Sequence, residues 1–521
     1  MKYLMAIDAG TGSVRSVIFD VKGNQIGCVQ KEWKHPQDPR FPGSMDFRWE
    51  ENWELTCSCI KEVLANTGIG AENIAAVSTT CMREGIVLYD SEGRELFACA
   101  NVDARAKDEV SQLKRIDPNL EKELYLKSGQ TFALGALPRL LWVKNKLPQV
   151  YGKTSRMGMI NDWIIFKLSG VLAVEPSNGS TTGLMDLRSR NWDREIARRC
   201  GLRDDIFPDV KECGAVAARV SKTGAAQSGL CEDTVLVTGG GDCQLGTIGV
   251  GVAEEGEAVV FGGSFWQYEF NTGSPVCSPK FDVRVNCHAC GNMWQYEALA
   301  FNPGLVMRWF RDTFCAEEKR LAAEKNTDPY AILDEMALSV PAGSYGIICV
   351  FSDVMNYINW KHASPAFINF ELDAEKYNKA AFYRAIMENA CLVTLGHLRL
   401  VEEATGGRPG KIVFAGGAAK SAVWPQILAD VLGIPVEVPV VKEATSLGAA
   451  IMAGKGIGIY KNEKEAARAL VKTEKIFSPN ADNREVYDKA YKNWQAAYKP
   501  LLRLSDDGIT NYMWCSPGLQ E

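Results

Sequence analysis

Histidine is scarce, with four in 521 residues, which excludes a metal centre or nucleophilic triad built on several imidazoles. Long apolar runs are missing as well: none reaches the ~20 residues a membrane-spanning helix needs. Positive charge is not in excess. The net charge of −6 argues against a nucleic-acid polyanion as main partner, though a local basic pocket for a phosphate stays open. No basic-then-apolar leader precedes the first apolar run, which predicts a cytoplasmic protein with no membrane association.

Nucleotide-binding motifs of two common kinds are absent too. Gly406-Gly407-Arg408-Pro409-Gly410-Lys411 has the wrong spacing for a Walker loop and continues into Ile412. No GxGxxG follows a strand with an acidic residue about 20 positions on, which disfavours a Rossmann dehydrogenase. Zinc chemistry is equally poorly served. Cys287-His288-Ala289-Cys290 has no second CxxC or His pair, so these read as buried thiols. The 16 cysteines are scattered through apolar segments, as in a reducing compartment, and in Cys57-Ser58-Cys59 one thiol is expected in the core and one semi-exposed.

What is present is a soluble composition, 46% hydrophobic and 23% charged, in a chain long enough for two large domains. Strand-like and helix-like runs alternate throughout, the α/β pattern. Leu4 to Ile7 is an apolar strand ending at Asp8; a Gly-Thr-Gly-Ser turn follows, then a second strand, Val14 to Phe19. Such a turn exposes backbone N–H groups to a phosphate, and a carboxylate at its base suits magnesium. An ordinary hairpin with permissive glycines reads equally well from this segment alone.

Two later segments echo it. Ala258 to Phe261 runs into Gly262-Gly263-Ser264 and then Phe265-Trp266, about 250 residues on, which suggests two similar domains facing one ligand. The turn Ala253–Gly256 is the expected boundary, giving domains 1–253 and 254–521. Further on, Ile412 to Ala415 is a strand, Gly416-Gly417-Ala418-Ala419 a turn and Ser421 to Leu432 a helix stopped by Gly433 and Pro435.

A strand over 235–241 ends in three glycines before Asp242. Glycine turns with two strand-terminal aspartates, Asp8 and Asp242, are what a metal-dependent phosphoryl transferase needs: amides round the phosphates, a cation, and a base beside the acceptor hydroxyl. Asp242 is the candidate base, the glycines before it leaving room for an acceptor. Arg83-Glu84, Asp103-Ala104-Arg105 and Asp162 form a second polar set suited to a small polyhydroxylated acceptor. Singly, each also reads as a solvated loop residue. The aromatic run Asn356 to Trp360 reads as packing or interface.

In order and spacing, IDAGTGSVRSVIFD at 7–20, GGGDCQLG at 239–246, FGGSFW at 261–266 and FAGGAAKSAVWPQILADVLGIPV at 414–436 resemble the FGGY carbohydrate kinases. The resemblance covers essentially the whole chain. It implies two domains of the actin/hexokinase/Hsp70 (ribonuclease H-like) type, an active site in the cleft between them, and ATP with Mg²⁺. By position it implies that Thr11, Gly12, Ser13 and Arg15 meet the ATP phosphates, with Gly263 and Ser264 as the second turn. It further implies that Gly304, Gly416 and Gly417 flank the adenosine and that Asp8 and Asp242 serve the magnesium. Asp242 would be the base, and Arg83, Glu84, Asp103 and Asp162 would hold the acceptor.

Cys81 to Tyr89, CANVDARA at 99–106, GLVMRWFRDTFCAEEK at 304–319, PVVKEAT at 439–445 and the C-terminal Trp514, Pro517, Gly518 and Leu519 resemble one subgroup of that family. That subgroup phosphorylates a small carbonyl polyol, linear dihydroxypentanedione, at its terminal hydroxyl in quorum-signal processing. Cys243 stands where many sugar kinases carry Gln or Asn, and Ala100-Asn101-Val102 replaces a tryptophan context; both changes disfavour the alternatives, a pentulose or glycerol kinase. An actin-like ATPase acting as sensor or chaperone is the remote reading. Oligomeric state is left open.

Overall fold

The computed structural model describes residues 2–133, 135–517 and 519. Two mixed sheets organise the chain. In the first the strand order is Val216–Arg219, Val235–Gly241, Ile74–Cys81, Tyr3–Ala9, Ser13–Asp20 and Gln25–Glu32. In the second it is Arg284–Cys287, Trp294–Phe301, Trp266–Thr272, Ala258–Gly262, Ile412–Ala415, Val436–Pro439 and Thr473–Phe477.

The two share a plan. In each, the first three strands in chain order pair antiparallel, after allowance for the Arg284–Cys287 edge strand. The first strand then pairs in parallel with the fourth, and the fourth in parallel with a later strand, Val235–Gly241 in the first sheet and Val436–Pro439 in the second. This is the duplicated α/β architecture the two glycine hairpins implied. Central strands are apolar on both faces, as Leu4 to Ile7 shows, because helices cover both sides. The edge strand Gln25–Glu32 instead alternates exposed and half-buried residues.

Helix Trp49–Thr67 covers one face of the first sheet through Cys59, Ile60 and Val63, and stops at Gly68 in the left-handed conformation (φ 67°). Cys57 and Cys59 are both buried in that sheet's core, at 7% and 0% exposure, so neither is the semi-exposed thiol expected. In the second half the 27-residue helix Lys379–Thr405 runs through the core.

Two short helices join the halves. Asp242–Gly249 follows strand Val235–Gly241 of the first sheet, and Ala444–Gly456, from the second half, packs on strand Tyr3–Ala9. They cross so closely that a Cβ at Gly249 would lie 1.8 Å from the Ala444 carbonyl oxygen, and one at Gly448 2.0 Å from that of Leu245. Leu4, Ala6, Val17, Leu245, Ile248, Ala449 and Ile451 share this core.

The expected helix over 421–432 begins three residues later, at Trp424, because Gly417–Lys420 forms a 3₁₀ turn first and Pro425 suits the start of the α-helix. Tyr357 and Trp360 are buried packing residues. Gly518 lies outside the described residues. Among the described residues no helix is long and apolar enough to cross a membrane.

Candidate active site

The strand ends of the first sheet converge where the two halves meet. Asp8 and Arg15 face each other across the opening hairpin, which places Arg15 Nε 3.7 Å from an Asp8 carboxylate oxygen. At the tip, Thr11 and Gly12 are exposed, and nothing lies within 4 Å of where a Gly12 Cβ would be. Trp33, buried beneath, braces the turn by donating from its indole to the Gly10 carbonyl at 3.0 Å, while its amide donates to that of Gly12 at 3.2 Å. The second hairpin presents Gly263 and Ser264 equally openly. Gly304 supports it: a Cβ there would sit 2.0 Å from the Gly263 carbonyl oxygen, so only glycine lets helix Pro303–Phe314 close on the turn. Gly416, at φ 96°, approaches the Gly262 carbonyl in the same way.

Asp242 opens its helix with 40% of its side chain accessible, and Arg83 Nε lies 3.3 Å from its carboxylate. Burial pushes the Asp242 carboxyl above the ordinary range and Glu84 adds to this, while Arg83 opposes it. Burial, joined by the charges of Asp242 and Glu443, pushes Asp8 up to about 7 against the pull of Arg15. Glu443, which sequence reasoning missed, also pairs with Arg15 from the second half.

The glycines before Asp242 serve a different purpose from the one expected. A Cβ at Gly239 would lie 1.6 Å from the Thr79 carbonyl oxygen, and at Gly240 2.7 Å from Ser177 Oγ. At Gly241 it would meet Gln244 Oε1 at 2.5 Å and the Arg83 side chain at 3.0 Å. The space is filled by the protein itself, at a register shift between this strand and Ile74–Cys81.

Arg83 and Glu84 are buried, and Glu84 sits in the left-handed region at φ 63°. Both are engaged by the second half. Arg83 pairs with Glu297, through Nη1 and, at 3.1 Å, through Nη2. Arg284 pairs with Glu84 and, at 3.2 Å, with Glu297. Gln130 accepts from Arg284 Nε at 2.7 Å and from the Tyr357 hydroxyl at 3.1 Å. Burial raises Glu297, but Arg83 and Arg284 outweigh it and hold the carboxyl low; burial and the Glu297 charge push Glu269 beside it well up. Cys243 Sγ, Glu269 and Glu297 come within 4.8 Å of one another. With two guanidiniums already on Glu297 and a thiol that donates to Gln267 Oε1 at 2.9 Å, this is a poor cation site.

The structure does not bring Asp103 and Asp162 to an open surface. Asp103, 5% exposed, accepts from the Met45 amide and Arg105 Nε, both at 2.7 Å. Asp162, 1% exposed, caps its own helix by accepting from the Met159 amide at 3.0 Å, and burial pushes it well up. Asp103 still bears on the site. Arg139 donates to the carbonyls of Asn101, Asp103 and Glu84, so one buried guanidinium ties those two loops together. Arg139, Arg284, Glu297 and Glu443 carried no motif, and only their charge could have marked them; Gln130, a neutral side chain, carried no such signal. His288 accepts from the Cys290 amide at 2.9 Å and meets Thr247 Oγ1 at 2.9 Å; with Cys287 and Cys290 it is buried, as packing rather than a zinc set.

Known proteins fit this arrangement. Residues 3–249 match the FGGY family of carbohydrate kinases, N-terminal domain, and 277–457 the C-terminal domain of that family. An autoinducer-2 kinase of Yersinia enterocolitica serotype O:8 / biotype 1B is 50% identical over 99% of this chain and 98% of its own length. One of Salmonella typhimurium is 49% identical over the same shares. A xylulose kinase from Rhodospirillum rubrum superposes with a TM-score of 0.84 at 21% identity, covering 96% of this chain and 99% of that one. Plasmodium falciparum glycerol kinase with ADP gives 0.84 at 20% identity, covering 96% and 98%. At such identities those two structures speak for the fold alone. The family models and the full-length relatives speak for descent, and by both the chain belongs to the FGGY family of carbohydrate kinases.

Proposed function

We propose that the protein transfers the γ-phosphoryl group of ATP to the terminal hydroxyl of linear dihydroxypentanedione, the autoinducer-2 precursor. The observation that carries this reading is the part-open Asp242 carboxylate, 3.3 Å from Arg83 Nε, at the end of a strand in the sheet whose opening hairpin exposes Thr11 and Gly12. The full-length relatives named autoinducer-2 kinases support the choice of acceptor.

Asp242 takes the proton of the acceptor hydroxyl as its oxygen bonds to the γ-phosphorus. The bond from that phosphorus to the β–γ bridging oxygen breaks, and ADP leaves. The amides around Thr11, Gly12 and Ser13, with Arg15, hold phosphate oxygens from one side; Gly263 and Ser264 hold them from the other. Gly304 and Gly416, packed on the second hairpin, shape the wall beside the nucleoside, and Gly417 leaves it free of a side chain. Asp8 and Asp242 fit Mg²⁺: both are hard oxygen donors, and Asp8 is a buried carboxyl short of positive charge. When bound, the ion neutralises phosphate charge. Arg83 and Glu84 orient the acceptor, with Asp103 and Asp162 supporting their loops from behind. The cleft divides acceptor binding to residues 1–253 and nucleotide binding to 254–521, in a cytoplasmic enzyme.

A pentulose or glycerol acceptor is disfavoured by Cys243, a small thiol already donating to Gln267. ADP release measured with dihydroxypentanedione, xylulose, ribulose and glycerol tests the choice; preference for a simple pentulose would refute it. Asp242→Asn is expected to lose at least about 100-fold in kcat while ATP still binds. Near-normal turnover would sink the base assignment.

A further inference from the structure

Ser177 lies in a turn that no motif marks, yet it touches the strand that delivers Asp242. Glu175 caps the short helical turn Pro176–Gly179, accepting from the amides of Ser177 at 2.6 Å and Asn178 at 3.0 Å. The Ser177 hydroxyl spends its proton on Glu175 Oε2 at 2.6 Å. Its lone pairs are thereby left for the Gly241 amide, which donates to it at 3.0 Å. Gly241 is the cap of the helix that Asp242 opens.

The next residue reaches the neighbouring strand. Asn178 Nδ2 contacts Cys81 Sγ at 3.1 Å and donates to Asn161 Oδ1 at 2.8 Å. Cys81 and Gly241 are register partners in parallel strands, and Arg83 follows two residues after Cys81. Cys213 Sγ and Asn161 Nδ2 also reach the Glu175 carboxylate, at 3.0 and 3.3 Å. Glu175, Ser177 and Asn178 are all fully buried. A buried network in which each donor has an acceptor admits few alternative geometries.

We propose that Ser177 is a positioning residue for phosphoryl transfer: its hydroxyl fixes the Gly241 peptide, and so the distance from the Asp242 carboxylate to Arg83. Residue Gly240 belongs to the same device, since a Cβ there would lie 2.7 Å from the Ser177 oxygen. The inference rests on Asp242 being the base, and that assignment has its own test in Asp242→Asn.

The experiment compares Ser177→Thr with Ser177→Val, two side chains of one shape that differ in the hydroxyl, with Ser177→Ala alongside. Turnover is measured with dihydroxypentanedione and ATP, and folded fraction by thermal melting. Valine and alanine are expected to lose about 10- to 100-fold in kcat with KM for ATP unchanged, and threonine to recover most of it. The loss is expected per folded molecule, at a folded fraction like that of the threonine variant. A merely structural role would scale the rate with the folded fraction. That result, equal rates in threonine and valine, or wild-type kinetics in alanine would each overturn the proposal. If Asp242→Asn proves active, the base reading fails instead, whatever the Ser177 series shows.

Discussion

Asp8 and Asp242 carry the same side chain at the ends of two strands of one sheet, yet their surroundings divide their roles. Asp242 has a guanidinium at 3.3 Å and an accessible face; Asp8 is only 10% accessible, with Arg15 at 3.7 Å and other carboxyls near. A carboxyl pushed up to about 7 holds a proton on part of the molecules at neutral pH, and a cation arriving beside it displaces that proton. MgATP binding at pH 7 is therefore expected to release protons. Calorimetry in two buffers of different ionisation enthalpy would read the release, and Asp8→Asn should abolish it. As the proposed base Asp242 would have to be deprotonated to act, and its carboxyl is raised, so activity is expected to fall as pH drops through a point above the usual carboxylate range. Removing the opposing guanidinium by Arg83→Met should move that limb to still higher pH, alongside a loss of rate.

At the scale of elements, the crossing of helices Asp242–Gly249 and Ala444–Gly456 joins the halves and carries Asp242 at one end. Contact between helix backbones this close is possible only where the residue that faces the other helix's carbonyl carries no Cβ, as Gly249 faces Ala444 and Gly448 faces Leu245. Gly249→Ala, with 1.8 Å to the Ala444 carbonyl, should force the helices apart and cost about 1–3 kcal/mol, measured by denaturant unfolding. Gly12→Ala, where a Cβ has open space, should leave stability within about 0.5 kcal/mol, so the pair separates packing from openness. The hairpins, the strand over 235–241 and the stop at Gly433 were legible in the sequence, because apolar runs bounded by glycine reflect local rules. The purpose of the three glycines before Asp242 was not. Which atoms fill the space above a glycine depends on Thr79 and Ser177, residues distant in sequence.

For the whole molecule, the salient feature is how much charge is buried between the halves. Arg83 and Glu84 from one side meet Glu297 and Arg284 from the other, and all four are nearly inaccessible. Taking charges out of water is costly, so such a cluster stabilises only while every member is paired. Arg284→Met would leave Glu84 and Glu297 short of a partner. It should destabilise by about 3–5 kcal/mol and, in calorimetry, separate the melting of the two halves into distinct transitions. Unchanged cooperativity would mean that the crossing helices alone couple them.

The order of strands and turns, the open glycine hairpins and the aspartates at strand ends were determined by the sequence itself, since each depends on neighbours a few residues away. Only the tertiary structure decided what surrounds those aspartates. It buried Asp103 and Asp162 among their own loops, brought Arg284, Glu297 and Glu443 to the site from the second half, and set Ser177 beneath Gly241. Those outcomes depend on which distant segments share a volume and on the penalty for leaving a buried polar group unpaired, a quantity that no local pattern encodes.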